Sequence, residues 1–102
     1  MQFVIFATDR ADHLNVRLEA RDAHRAYLRD AAAHPDVSVI HGGPTLAADG
    51  ETMNGTMLIV EAPALGAAEA FAAGDPYRQA DLFSDVQIRP WSWVMGRPEE
   101  GG

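Results

Sequence analysis

Apolar residues recur along this chain in two rhythms, and the change from one to the other marks out the elements. Four runs rich in β-branched and aromatic residues, each bounded by turn formers, read as strands: Gln2–Thr8, Val37–Pro44, Thr56–Ala62 and Val86–Met95. From about Arg17 to Ala33 the apolar spacing lengthens to three and four, through Ala20, Ala23, Tyr27, Leu28 and Ala31, which predicts an amphipathic helix. Its other side carries Arg21, Asp22, Arg25, Arg29 and Asp30 and is predicted to be solvated. An alanine-rich second helix is predicted over Ala64–Ala73, with Leu65, Ala68, Phe71 and Ala72 on one side and Gly74 as its cap. Asp75 then precedes Pro76, the signature of a fresh helical turn running to about Asp81. The stretch Ala47–Asn54, with Asp49-Gly50 inside it, reads as a hairpin loop.

The resulting order is β-α-β-β-α-β. Two right-handed split crossovers then predict an α+β protein of ferredoxin-like type, an antiparallel four-stranded sheet in the order 4-1-3-2 with both helices on one face. Pro90 suits this order, because a strand lacking one ladder donor belongs at an edge. In the first strand Phe3, Ile5 and Ala7 alternate with Val4 and Phe6, so both faces are apolar, and Met57-Leu58-Ile59-Val60 repeats the pattern in the third. Two helices cover one face, so a second copy packed sheet to sheet is expected to cover the other. The expectation is a homodimer. The domain should occupy residues 1–95, with 96–102, polar and glycine-rich, as a flexible tail.

Composition removes whole classes of chemistry. The 102 residues suffice for one core. The net charge is −7 and all eight basic residues are arginines, none gathered more densely than Arg17, Arg21, Arg25 and Arg29; such a field repels nucleic acid. With no lysine and no cysteine, Schiff bases, thiol nucleophiles, disulfides and thiolate metal sites are excluded. No stretch approaches the ~20 apolar residues of a membrane helix, and the run after Met1 has no leader pattern, so a cytoplasmic protein without membrane partners is expected.

His24 is the first candidate for chemistry, because its spacing from Ala20, Tyr27, Leu28 and Ala31 turns it toward the sheet. An imidazole there is either a core residue bonded to a backbone carbonyl or a proton carrier, its unperturbed pKa lying near ~6.5. Asp75 is the second. It caps a helix, yet topology brings the end of the second helix to the same end of the domain as the start of the first, where the two side chains can meet. A carboxylate beside an imidazole fixes its tautomer. Arg17, at the mouth of the first helix, is an anion ligand, a solvated arginine or a partner for Asp12 or Glu19. His13, His34 and His41 are weaker candidates, no histidine pair has metal-motif spacing, and no metal or cofactor is expected. Ser38, Ser84 and Ser92 sit in no nucleophile elbow, and Trp91 and Trp93 read as core or interface anchors.

The segment Arg21-Asp22-Ala23-His24-Arg25-Ala26-Tyr27-Leu28, the turn Gly43-Pro44, the run Ala68-Glu69-Ala70-Phe71 leading to Asp75-Pro76-Tyr77, and Ile88-Arg89-Pro90-Trp91 together resemble the YCII-related (YciI-like) family, across Phe3 to Val94. That resemblance implies a dimeric α/β barrel with His24 and Asp75 as its acid/base pair, and Arg17, Tyr27, Gly43 and Pro44 are expected as substrate contacts. Asp22 departs from it, where many relatives have proline, and so does His41, where a small residue is usual and the pocket wall would change. Two functions follow. One is a cofactor-independent enzyme of lyase, dehalogenase or isomerase type acting on a small organic or aromatic-derived acid. The other is a non-catalytic dimer that binds a small ligand or supports a partner enzyme.

Overall fold

The computed structural model describes residues 1–97. Part of the expected tail, residues 98–102, lies outside the described residues. The chain runs β1 (Gln2–Asp9), α1 (Leu14–Arg29), β2 (Ser38–Leu46), β3 (Met53–Glu61), α2 (Leu65–Ala73), α3 (Pro76–Gln79) and β4 (Phe83–Trp91). The four strands form one antiparallel sheet in the order β2-β3-β1-β4, which is the expected ferredoxin-like order read from its other edge. Pro90 does lie on the edge strand, opposite Phe3.

Register follows the alternation of apolar side chains. Phe3 faces Val60, Ile5 faces Leu58 and Ile88, and Ala7 faces Thr56 and Val86. Phe3, Ile5, Leu58 and Val60 bury against Ala68 and Phe71 of α2, with Tyr27 and Leu28 of α1 packed onto the cluster. Fully burying each large apolar side chain stabilises the fold by ~1.5–3 kcal/mol. A smaller cluster joins Ala7 to Tyr77, Leu82 and Phe83, and so locks α3 and the start of β4 to the sheet. On the sheet's other face Phe6 (42% accessible) and Met57 (41%) remain open. Trp93 stacks on Trp91 and meets His41 of β2 edge to face.

Several boundaries differ from expectation. Helix α1 starts earlier, at Leu14, and stops at Arg29 rather than Ala33. It stops because the terminal carbonyl of Tyr27 accepts from the His34 ring (2.7 Å) and from the Asp30 N–H (3.3 Å), which turns the chain away. Strand β4 starts at Phe83, opposite Asp9, and ends at Trp91, so Trp93 lies beyond the strand. The hairpin loop is held by Asp49, whose carboxylate accepts from Glu51 N–H, Thr52 N–H and the Thr52 hydroxyl; these bonds draw its pKa down to about 2.

Candidate active site

A site forms between α1 and the sheet. The residues that α1 buries outright are Arg17 and His24, not apolar ones. A cavity of about 540 Å³ opens between α1 and β2. Its floor and far wall are Tyr77, Thr56, Val39, Gly42, Gly43 and Pro44, with Met53 at one side. Its near wall is α1 itself, through Arg17, Arg21, His24, Arg25, Leu28 and Arg29.

His24 and Asp75 meet. The ring Nδ1 lies 2.7 Å from Asp75 Oδ1, both side chains being buried. An ionised carboxylate only accepts, so Nδ1–H donates and the lone pair of the neutral ring belongs to Nε2. The same Oδ1 accepts the N–H of Tyr77 (2.9 Å), the capping bond at the start of α3. Capping and pairing with the imidazole are therefore one arrangement, in which the cap fixes the carboxylate that fixes the ring. Tyr77 completes the clamp by stacking on His24 with centroids 3.9 Å apart and planes 15° apart. No buried side-chain nitrogen or oxygen among the described residues lacks a partner. Since Nε2 makes no bond among the described residues, it opens to the cavity that His24 lines.

Arg17 is at the site but is not solvated, and its partner is neither Asp12 nor Glu19. Its Nε and Nη2 bond Asp9 as a fork (2.8 and 2.9 Å), and Nη2 also donates to the Thr56 hydroxyl (2.7 Å). The guanidinium carbon lies 4.7 Å from the Tyr77 ring centre. Burial alone would lower the Arg17 pKa, but the bonds to Asp9, its charge and the interaction with Tyr77 together raise it, so Arg17 stays a cation. Burial likewise raises the Tyr77 phenol; Arg17 opposes that shift and Asp75 adds to it.

Gly43 and Pro44 line the cavity as expected of substrate contacts. Tyr27 does not line it. Its hydroxyl donates to the Phe71 carbonyl (2.7 Å) and its ring stacks on Phe71, which ties α1 to α2 on the other side of His24. Gly74 permits this approach: a Cβ there would sit 2.6 Å from the Tyr27 hydroxyl oxygen. His41 lies against Trp93 and outside the cavity wall. Among the described residues no cluster of three or more His, Asp or Glu side chains is arranged to hold a metal ion.

The residues that sequence reasoning missed are Asp9, Thr56 and Tyr77, together with the inward role of Arg21, Arg25 and Arg29. Tyr77 had a signal, since it directly follows Asp75-Pro76 and supplies the capped N–H. Asp9 had a weaker one, as the carboxylate closing β1 at the end where α1 begins. Thr56 had none.

The model of the YCII-related domain matches residues 1–92. This chain belongs to the YCII-related family. Protein YciI of Escherichia coli O6:H1 is 35% identical to it over 100 residues, covering 93% of this chain and all of that protein. An uncharacterized protein of Haemophilus influenzae is 34% identical over the same span. Among solved structures, 5-chloro-2-hydroxyhydroquinone dehydrochlorinase of Burkholderia phenoliruptrix, in complex with 2,5-dihydroxybenzoquinone, is 35% identical and superposes with a TM-score of 0.78 over 90% of this chain and 94% of that one. A ferredoxin-like protein of unknown function from Bacteroides fragilis, described as dimeric, is 16% identical with a TM-score of 0.53 over 85% of this chain and 89% of its own, a likeness of fold. The YCII-related fold is thus shared by an enzyme that acts on a small molecule.

Proposed function

We propose that this YCII-related protein is a small acid/base enzyme of lyase, dehalogenase or isomerase type, which moves a proton on a small organic or aromatic-derived acid through His24 and Asp75. The observation that carries the reading is the imidazole with Nδ1 held by Asp75 at 2.7 Å and Nε2 open to a cavity of ligand size. In that role Nε2 takes a proton from a substrate carbon or hydroxyl, and Asp75 stabilises the imidazolium that results. In an elimination the freed electron pair forms the new double bond as the leaving group departs with its own pair; in an isomerisation His24 returns the proton to another atom. Tyr77 holds the ring plane, Arg17 and Asp9 keep the floor rigid, and no cofactor is needed. The 35% identity to a dehydrochlorinase supports this reaction class.

The working unit in this reading is a homodimer, because Phe6 and Met57 on the open face of the sheet need cover. Light scattering is expected to give twice the protomer mass.

The test begins with a thermal-shift screen of small carboxylic and phenolic acids, since a ligand of the folded state raises its apparent stability. Compounds that bind are then followed for turnover by absorbance and NMR. His24→Ala should abolish turnover while the protein stays folded. Undiminished rates would remove His24 from the chemistry, and ligands that bind but are never consumed would make the protein a binding module.

A further inference from the structure

Four of the chain's eight basic residues line one cavity in a protein whose net charge is −7. They are Arg17, Arg21, Arg25 and Arg29, spaced one helical turn apart down α1, and they grade from buried Arg17 through half-buried Arg21 to exposed Arg25 and Arg29. Among the described residues only Arg17 of the four has a counter-charge. Arg21, Arg25 and Arg29 make no hydrogen bond or ion pair among the described residues, although Asp22 stands three positions before Arg25 on the same helix. The cavity wall opposite them, Val39, Gly42, Gly43, Pro44 and Met53, carries no charge at all. Their charge reaches inward, since Arg21 and Arg25 both act on the phenol of Tyr77 beneath His24. Like charges one turn apart destabilise a helix, so the ladder has a cost that its own fold does not offset.

We infer that this cavity is built for a small organic dianion with an apolar body, one acidic group held at Arg21 beside His24 and the other nearer the mouth at Arg25 and Arg29. The inference rests on the acid/base reading for the role of His24 and adds the charge class of the substrate. Leu28, Val39, Pro44 and Met53 supply apolar surface for the body between the two acids. The negative field of the rest of the molecule turns anions away elsewhere, and the arginines gather them at one opening.

The experiment uses benzoate and benzene-1,4-dicarboxylate as matched probes, read by calorimetry on the full chain at low and moderate salt. The dicarboxylate should bind about tenfold tighter, the gap narrowing as salt rises. In the double variant Arg25→Gln, Arg29→Gln that gap should close, while the melting temperature of the ligand-free protein is unchanged or higher, because glutamine matches arginine in helix propensity and the repulsion is relieved. His24→Ala should keep the preference, since it removes the proton carrier and none of the ladder. Equal affinity for the two acids, no binding of either, or a gap that survives the double substitution overturns the inference. The two readings separate cleanly. A retained preference with no His24-dependent turnover sinks only the enzyme, and His24-dependent turnover of a monoacid without the preference sinks only the dianion.

Discussion

Helices α1 and α2 lie on the same face of the same sheet, yet they bury opposite kinds of residue. Helix α2 buries Ala68 and Phe71, and the strands beneath it close into the main core. Helix α1 buries Arg17 and His24, each bound to a carboxylate brought from elsewhere, Asp9 from the end of β1 and Asp75 from the start of α3. Apolar burial stabilises in proportion to area, whereas a buried ion pair must first overcome the desolvation of both charges, so α1 is not the helix one would build for stability. The contrast separates an apolar side of the domain from a polar side that borders the cavity. The cavity lies on the α1 side, lined by Arg17 and His24 themselves.

The comparison is tested most severely by treating the two helices' buried residues alike. Asp9→Ala should destabilise the protein by about 3–5 kcal/mol in denaturant unfolding, because it strands the Arg17 cation in a buried position. Replacing the pair together, Arg17→Met with Asp9→Leu, should cost far less or stabilise, while ligand binding in the cavity weakens. On the other helix Phe71→Ala should also cost about 3–5 kcal/mol, but no second substitution of a partner rescues it, since what is lost is area and a cavity remains. If the double replacement on the α1 side is as damaging as Asp9→Ala alone, the contrast between the helices fails.

A smaller effect tests the seam between the two helices. Gly74→Ala should displace the Tyr27 hydroxyl and forfeit its bond to the Phe71 carbonyl, at about 1 kcal/mol. Gly74 has φ −86°, an ordinary right-handed value, so close approach and not a positive φ is what calls for glycine there. A neutral Gly74→Ala would show that Tyr27 finds another partner at no cost.

The gentlest test is spectroscopic. The chain has two tyrosines, and burial raises the pKa of both, with Asp75 adding to the shift in each and Arg17 opposing it in Tyr77. Absorbance titration of the folded protein should therefore show no phenol ionising at the ordinary ~10, whereas the denatured chain titrates there. The sign follows from linkage. Above ~10 the folded state binds more protons than the unfolded one, so stability is undiminished below that pH and falls as pH rises through the folded values. A native titration superimposable on the denatured one would contradict the burial of both rings.

Much of this was legible in the residues alone. The inward turn of His24 and the capping role of Asp75 followed from spacing and from the Asp-Pro pair, and the meeting of the two followed from topology. The sheet order came from element order, and Pro90 took the edge it required. The solvated face assigned to Arg21, Arg25 and Arg29 holds for Arg25 and Arg29, which are exposed, whereas Arg21 is half-buried, and all three also line the cavity. A period of 3.6 states which residues share a side, but how far a helix stands from its sheet depends on the size and partners of the side chains between them. The same limit hid Asp9 as the partner of Arg17 and drew Tyr27 away from the cavity to Phe71.

Local patterning and chain order were enough to determine the elements, their arrangement and one half of the surroundings of His24 and Asp75, because backbone periodicity and crossover handedness act on neighbours in sequence. The cavity, the stacking of Tyr77 on His24 and the convergence of the arginines were decided by tertiary structure. Those contacts join residues 39, 51 and 53 positions apart, Arg17 to Thr56, His24 to Asp75 and His24 to Tyr77, and a contact at that separation exists only once the sheet has brought its elements together.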